Sequence, residues 1–221
     1  MPVFSRVTLP LTALFCILGS WIWIGATVAV VLMFACYLRP IDMEELTSES
    51  LVAPTERMRR DGLAAWALLL GARESGHANK SGEFDESVLM DWGITEQISP
   101  LLQELAARKP KQSAWSFHRA ELTAAFVEAA RLGGVGHLEP QLYSLRHGGA
   151  SADALRRTRS TGEIKKRGRW KSDTSLRRYE KAALSLREEQ RVGSMAAAYG
   201  AAVEAQLGEL LLGTIKRRSR R

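Results

Sequence analysis

The residues of this 221-residue chain that could do chemistry lie at the two ends of a strongly basic segment. Arg146 and His147 precede the segment, and Tyr179 ends it. Between Arg156 and Tyr179 there are ten Lys or Arg residues and two acidic ones, a local net charge of +8 against +7 for the whole chain. Concentrated positive charge attracts phosphate groups, and a tyrosine hydroxyl beside it is a potential nucleophile. The segment therefore predicts a phosphate site with a reactive group next to it.

The elements that must position these residues begin with an apolar N-terminal region. Residues 9–38 carry no charged side chain, and Gly19 and Ser20 divide them into runs over 10–18 and 21–38. Each run has the length of a buried helix in a globular domain. We expect two core helices here, with a membrane span and a signal peptide as the alternatives.

Hydrophobic periodicity predicts a mostly α fold with a small β-hairpin or sheet, an α+β class. Turn-forming residues separate two apolar runs, which predicts a hairpin of 64–71 against 86–90, after a connector over 51–54. Further helices are expected over 41–48, 96–108, 116–132, 141–158, 160–169 and 172–184, and a long helix over 186–215 interrupted near Gly193 and Gly200.

Four short motifs carry side chains suited to phosphate chemistry. Arg39 ends the second apolar helix, with an acidic residue three positions later. Lys80 lies in the turn of the predicted hairpin. Arg146 precedes Tyr179 by 33 residues, and Trp170 precedes Tyr179 by nine. The spacing alone is weak evidence for each motif, but the order of all four is informative.

In this order, the motifs resemble the catalytic domain of the tyrosine recombinase, or phage integrase, family. The resemblance covers residues 10–185 and implies an integrase-type catalytic domain over 1–185, followed by a C-terminal helix and basic tail over 186–221. It implies cleavage and rejoining of double-stranded DNA through a covalent 3′-phosphotyrosine, without a metal or another cofactor. It further implies other protomers on the same DNA and a location with DNA, in the nucleus or the nucleoid.

The resemblance also implies a role for each motif residue. Arg39 and Arg146 would clamp the non-bridging oxygens of the phosphate, which neutralises its charge in the transition state. Tyr179 would be the nucleophile, since positive charge nearby favours a phenolate whose reference pKa is about 10. Lys80 would donate a proton to the leaving 5′ oxygen. Trp170 would donate its indole N–H to the phosphate or pack beneath Tyr179.

The basic segment is expected to contact the DNA backbone. The residues predicted to do so are Arg156, Arg157, Arg159, Lys165, Lys166, Arg167, Arg169 and Lys171.

Three positions depart from the family pattern or have no clear part in it. Tyr143, counted with the catalytic residues, stands where the family usually has His or Lys, and a phenol is a poor base at neutral pH. Arg169 replaces the usual Gly before Trp170. His147 is expected to support the structure rather than to react.

Two other functions remain open. Tyr143 and the lack of the DNA-binding module that usually precedes such a domain favour a decayed recombinase that binds DNA without cutting it. A single-span membrane protein with a basic cytosolic domain is the other alternative. A type IB topoisomerase would share the phosphotyrosine chemistry. No Cys or His spacing indicates a metal site.

Overall fold

The computed structural model describes residues 21–71, 86–177, 179, 183, 186–187 and 190–218, and element labels here follow chain order within them. These residues are mostly helical and contain a small antiparallel sheet, so the predicted α+β class is confirmed. The helices are α1 (Trp21–Ala35), α2 (Pro40–Glu44), α3 (Glu56–Arg60), α4 (Gly93–Gln97), α5 (Ser99–Ala106), α6 (Arg119–Leu132), α7 (Leu142–Arg156), α8 (Thr161–Arg167) and α9 (Ser194–Arg218). The strands are β1 (Leu51–Val52), β2 (Trp66–Leu70) and β3 (Glu86–Met90). Short 3₁₀ turns cover Ser48–Ser50, Gly136–Leu138 and Asp173–Ser175.

Helix α1 is the centre of the hydrophobic core. Its sequence is apolar on every face, which is typical of a helix surrounded by other elements. From Ile24 to Ala35 its side chains are almost all buried, and α1 packs against α4, α6 and α7. The predicted core helix over 21–38 is therefore present but ends at Ala35. The run over 10–18 lies outside the described residues.

A bilayer-spanning helix was one alternative for this region. Across the described part of the chain, none of the helices has both the length and the apolar character that crossing a membrane requires.

The sheet has the strand order β1-β2-β3, and all neighbours are antiparallel. Leu68 in β2 pairs with Val88 in β3, as the predicted hairpin requires, and on its other side it pairs with Leu51 in β1. The pairing of β2 with β3 is confirmed, but β1 lies in the region expected to be a connector. A two-residue strand carries too short a pattern to be detected from periodicity.

Several helix boundaries differ from the prediction because local capping decides them. Helix α6 begins at Arg119 rather than near 116, since His118 and Glu121 form its N-terminal capping box. The helix expected over 96–108 is divided into α4 and α5 at Ile98, and α5 has a proline in its first turn. Ser160 caps α8 by accepting a hydrogen bond from the backbone of Glu163.

Helix α9 runs unbroken through Gly200, so the interruption predicted there is wrong. Its buried side chains Leu207 and Leu211 join the core that α1 forms. The Gln97 side chain at the end of α4 donates to the backbone of α9 and accepts from it. The described part of the helix predicted to follow the catalytic domain therefore packs on the same core as the preceding helices.

Candidate active site

Arg146 on α7 is the centre of the candidate site. It is only 1% exposed, and its side chain lies between the end of α1 and the end of α8. Nη1 donates to the carbonyl oxygen of Tyr37, and Nη2 donates to that of Gly168. Nε is buried and has no hydrogen-bond partner in the described structure. An arginine has five N–H donors, so the two carbonyl bonds hold the guanidinium in place and leave donors for an anion.

The backbone carbonyl of Tyr37 accepts a hydrogen bond from Arg146. Tyr37 follows α1 in the left-handed conformation, with φ of 51°, which is uncommon for a residue other than glycine. Its ring is completely buried and its hydroxyl donates to Asp153, farther along α7. Burial and then the Asp153 carboxylate raise the pKa of Tyr37 above its ordinary value, so the phenol stays a neutral donor. The tyrosine thereby connects α1 with α7 at two points.

Two glycines allow the close packing around this connection. A Cβ atom on Gly149 of α7 would lie 2.0 Å from the carbonyl oxygen of Phe34. A Cβ atom on Gly168 would lie 1.8 Å from Cζ3 of Trp170. Only glycine can therefore stand at either position without moving the groups that surround Arg146.

Two more arginines share one carboxylate beside Arg146. Nη2 of Arg169 lies 2.6 Å from Oδ2 of Asp42. The backbone N–H of Arg39 donates to the same oxygen at 2.9 Å, and Nη1 of Arg39 is 3.9 Å from Oδ1. Arg169 also places Nε 3.6 Å from a carboxylate oxygen of Glu86. We call Arg39, Arg146 and Arg169 the guanidinium cluster.

The guanidinium cluster has more positive charge and more donors than its acidic neighbours satisfy. Burial, followed by the charges of Arg169 and Arg39, lowers the pKa of Arg146 to about 10. Burial also lowers the pKa of Arg169. One buried nitrogen on each arginine has no hydrogen-bond partner in the described structure: Nη1 of Arg39, Nε of Arg146 and Nη1 of Arg169. Such a cluster is suited to bind an anion with several oxygens.

Trp170 connects the guanidinium cluster to Tyr179. The guanidinium carbon of Arg146 lies 4.5 Å from the centre of the Trp170 ring, within the range of a cation–π contact. Trp170 also packs against the Tyr179 ring, at a centre-to-centre distance of 5.2 Å. The structure thus brings together four of the predicted catalytic residues, Arg39, Arg146, Trp170 and Tyr179.

Tyr179 is 4% exposed, and its hydroxyl oxygen lies 2.5 Å from Nδ1 of His147. The ring of Tyr143 packs edge-on against the His147 ring at 4.8 Å and is itself 43% exposed. Tyr143 therefore lies at the rim of the site and reaches Tyr179 through His147. The contact between His147 and Tyr179 was missed from the sequence, although His147 is one helical turn after Tyr143 and on the same helix face.

A cavity of about 520 Å³ lies next to Tyr179. Its lining includes Arg157, Ser160 and Leu176, so it combines a cation, a hydroxyl and an apolar wall. Lys80, the predicted proton donor, lies outside the described residues.

The predicted DNA-contacting residues divide into two groups. Those with exposed side chains are Arg156, Arg157, Lys166 and Lys171. The other four are held by ion pairs: Arg159 with Asp153 and Asp91, Lys165 with Asp173, Arg167 with Asp91, and Arg169 with Asp42. Arg169, expected on the basic surface, thus belongs by its position to the guanidinium cluster.

Within the described ranges, no three His, Cys, Asp or Glu side chains are close enough together to form a metal site. Cys36 is buried, and burial raises the pKa of its thiol to about 11. It is therefore an unreactive core thiol.

Comparisons of the chain with protein-family profiles, with curated proteins and with solved structures find no significant match. The motif residues and their geometry are therefore what indicates a function.

Proposed function

We propose that this chain is an integrase-type catalytic domain that cleaves and rejoins double-stranded DNA through a 3′-phosphotyrosine. The observation that carries the proposal is the convergence of Arg39, Arg146, Trp170 and Tyr179 on one buried cluster with unsatisfied N–H donors. These residues come from four separate segments of the chain. Their proximity supports the interpretation that the sequence motifs belong to one site and did not arise by chance.

The guanidinium cluster would bind the scissile phosphate. Cleavage of a phosphodiester by a phenolate passes through a pentavalent phosphorane with extra negative charge on its non-bridging oxygens. Donors that are fixed before the reaction stabilise this charge most effectively, and loss of one such donor costs about 10²–10³ in rate. The carbonyl oxygens of Tyr37 and Gly168 fix the Arg146 guanidinium in that sense.

Tyr179 would attack the phosphorus atom and form the bond to the 3′ phosphate. The P–O5′ bond breaks, and the leaving 5′ oxygen takes a proton, which Lys80 would supply. The phosphotyrosine keeps a phosphodiester bond, so attack by a 5′ hydroxyl rejoins the DNA without ATP. Exchange between two duplexes needs several such sites on one DNA assembly, which implies other protomers as partners.

The direct test is the capture of the covalent intermediate. The probe is a pool of randomised DNA duplexes, each 5′-labelled and nicked so that the short strand beyond the cleavage point dissociates. We expect the wild-type protein to form an adduct that resists SDS, without metal or ATP, and Tyr179→Phe to form none. Tyr199→Phe, in the exposed part of α9, is the matched control and should react like the wild type.

A second candidate function is DNA binding without cleavage. Tyr143 favours it, since a phenol at this position cannot take part in proton transfer at neutral pH as His or Lys would. In that case no adduct forms on any nicked duplex, while the protein still retains DNA. The retention would weaken with salt, because exposed residues such as Arg157, Lys166 and Lys171 would act by releasing counterions.

A further inference from the structure

In the candidate site, Tyr179 makes a short polar contact with His147. Nδ1 of His147 and the Tyr179 hydroxyl oxygen are 2.5 Å apart, and the two ring planes are inclined at 35°. A neutral imidazole has one nitrogen with a proton and one without. In the tautomer with the proton on Nε2, Nδ1 accepts a hydrogen bond from the phenol. This is the arrangement of a nucleophile and its base.

The neighbouring residue explains why this contact is informative. Tyr143 occupies the position at which a His or Lys would be expected, one helical turn before His147. Its ring packs edge-on against the imidazole, at 4.8 Å and 73°. A phenol with an ordinary pKa of about 10 does not accept a proton at neutral pH, whereas an imidazole with an ordinary pKa of about 6.5 does. Tyr143 therefore supports the ring of His147, and the imidazole of His147 is a better base than the phenol of Tyr143.

We propose that His147 is the proton acceptor for Tyr179, so that the basic group of the site has moved from position 143 to position 147. This inference rests on the proposed strand cleavage. The proton of the Tyr179 hydroxyl moves to Nδ1 of His147 as the bond from oxygen to phosphorus forms. The P–O5′ bond breaks, its electron pair stays on the 5′ oxygen, and that oxygen takes a proton from the general acid. In the rejoining step, His147 returns its proton to the phenolate of Tyr179.

The charged surroundings of His147 are consistent with this role. Arg146 precedes His147 on the same helix, and the Arg146 guanidinium lies over the Trp170 ring, which packs against the Tyr179 ring. The Tyr143 and Tyr179 rings pack against His147 from the same helix and from the segment after α8. Positive charge near Tyr179 favours its phenolate, so a neutral base is sufficient to take the proton.

The test compares three variants in the nicked-duplex assay. His147→Ala removes the base and should lower the rate of adduct formation by about 10²–10⁴, the usual contribution of a general base. Added imidazole should restore a large part of the rate in this variant, and weaker bases of the same size should restore less. His147→Gln keeps a hydrogen bond to Tyr179 but accepts no proton, so it should be as slow as His147→Ala and should not respond to imidazole. Tyr199→Phe, in the exposed part of α9, is the control and should react at the wild-type rate.

The outcomes separate this inference from the proposed function. A folded His147→Ala protein that forms the adduct at the wild-type rate would overturn the role of His147 and leave strand cleavage intact. A rate in His147→Gln close to that of the wild type would overturn it as well, because glutamine keeps the contact without the base. If the wild-type protein forms no adduct on any duplex, the proposed cleavage fails and the inference fails with it. Thermal unfolding of each variant identifies a loss of fold.

Discussion

Replacement of Gly149 by alanine would test the close contact of α1 and α7, which places Tyr37 against Arg146. The added Cβ atom would be 2.0 Å from the carbonyl oxygen of Phe34 and 2.8 Å from Cδ1 of Tyr37. Carbon and oxygen atoms without a covalent bond approach to about 3.3 Å. The two helices must therefore separate by about 1 Å, and this distance is enough to weaken the bond from Arg146 to the Tyr37 carbonyl.

The expected cost combines two effects. Overpacking of a core by one carbon atom costs about 1–3 kcal/mol, and the loss of a hydrogen bond to a charged group costs about 1.5–3 kcal/mol. Gly149→Ala should thus lower the free energy of unfolding by about 2.5–6 kcal/mol. With a urea m-value of about 3 kcal/mol/M, the unfolding midpoint should fall by about 1–2 M.

Gly93→Ala is the matched control. Gly93 is the first residue of α4, and no atom lies within 4 Å of a Cβ built on it. Alanine is the better helix former, so this variant should be as stable as the wild type or more stable by up to about 1 kcal/mol. Equal midpoints for Gly149→Ala and Gly93→Ala in urea titrations would refute the close packing of α1 on α7, and with it the placement of Arg146.

Three further predictions concern charge. Inorganic phosphate at ten times its Kd should stabilise the protein by about 1.4 kcal/mol, which raises the Tm by about 3–6 °C. Arg39→Gln should remove most of this shift in Tm. An equal shift in the variant would show that phosphate binds elsewhere. Arg169→Gly relieves a left-handed backbone with φ of 53°, which gains about 1–2 kcal/mol. It also breaks a buried ion pair, at a cost of about 3–5 kcal/mol. Urea titration should therefore show a net loss of stability, and a gain in stability would contradict the ion pair. Burial raises the pKa of Asp91, but the charge of Arg167 together with the hydrogen bond and charge of Arg159 outweighs this effect, so the pKa lies below its usual value. The stabilisation by Asp91 is consequently full above the ordinary carboxyl pKa and is lost as the pH falls through the lowered one. Asp91→Asn should be less stable at pH 7 and lose less stability in acid, and an unchanged acid profile would exclude the role of this carboxylate.

The main elements of the fold could be predicted because they carry strong periodic patterns. The apolar run of α1 and the paired runs of β2 and β3 are examples: α1 is largely buried, and each strand buries alternate residues. The prediction was wrong at Gly200 because a glycine costs a helix only about 1 kcal/mol. The burial of Leu207 and Leu211 in the same helix contributes more than that. Whether a glycine interrupts a helix thus depends on tertiary packing, which a single sequence does not reveal.

In the candidate site, too, the grouping of the motif residues could be predicted from the sequence, but their detailed contacts could not. The order of the motifs predicted that Arg146, Trp170 and Tyr179 lie near one another, and Trp170 does contact both of the others. The order could not predict that Tyr37 adopts a left-handed backbone and offers its carbonyl to Arg146, because this conformation depends on α7. Nor could it predict the burial of Arg169, which looks like any other cation in a basic segment.

The electrostatics of Arg146 provide an argument about function that the motifs do not. A pKa lowered from 12.5 to about 10 corresponds to an unfavourable free energy on the order of 3 kcal/mol for keeping the guanidinium charged in the fold. The hydrogen-bond acceptors of Arg146 in the described structure are two neutral carbonyls, and the nearest charges include Arg39 and Arg169. A stability role alone would be better served by a carboxylate partner or by an apolar side chain of similar volume. A bound phosphate reverses the sign of this contribution, because it raises the pKa of Arg146 and satisfies the open N–H groups. The charge of the cluster is therefore unfavourable without an anion, which supports its proposed role as a preorganised phosphate site.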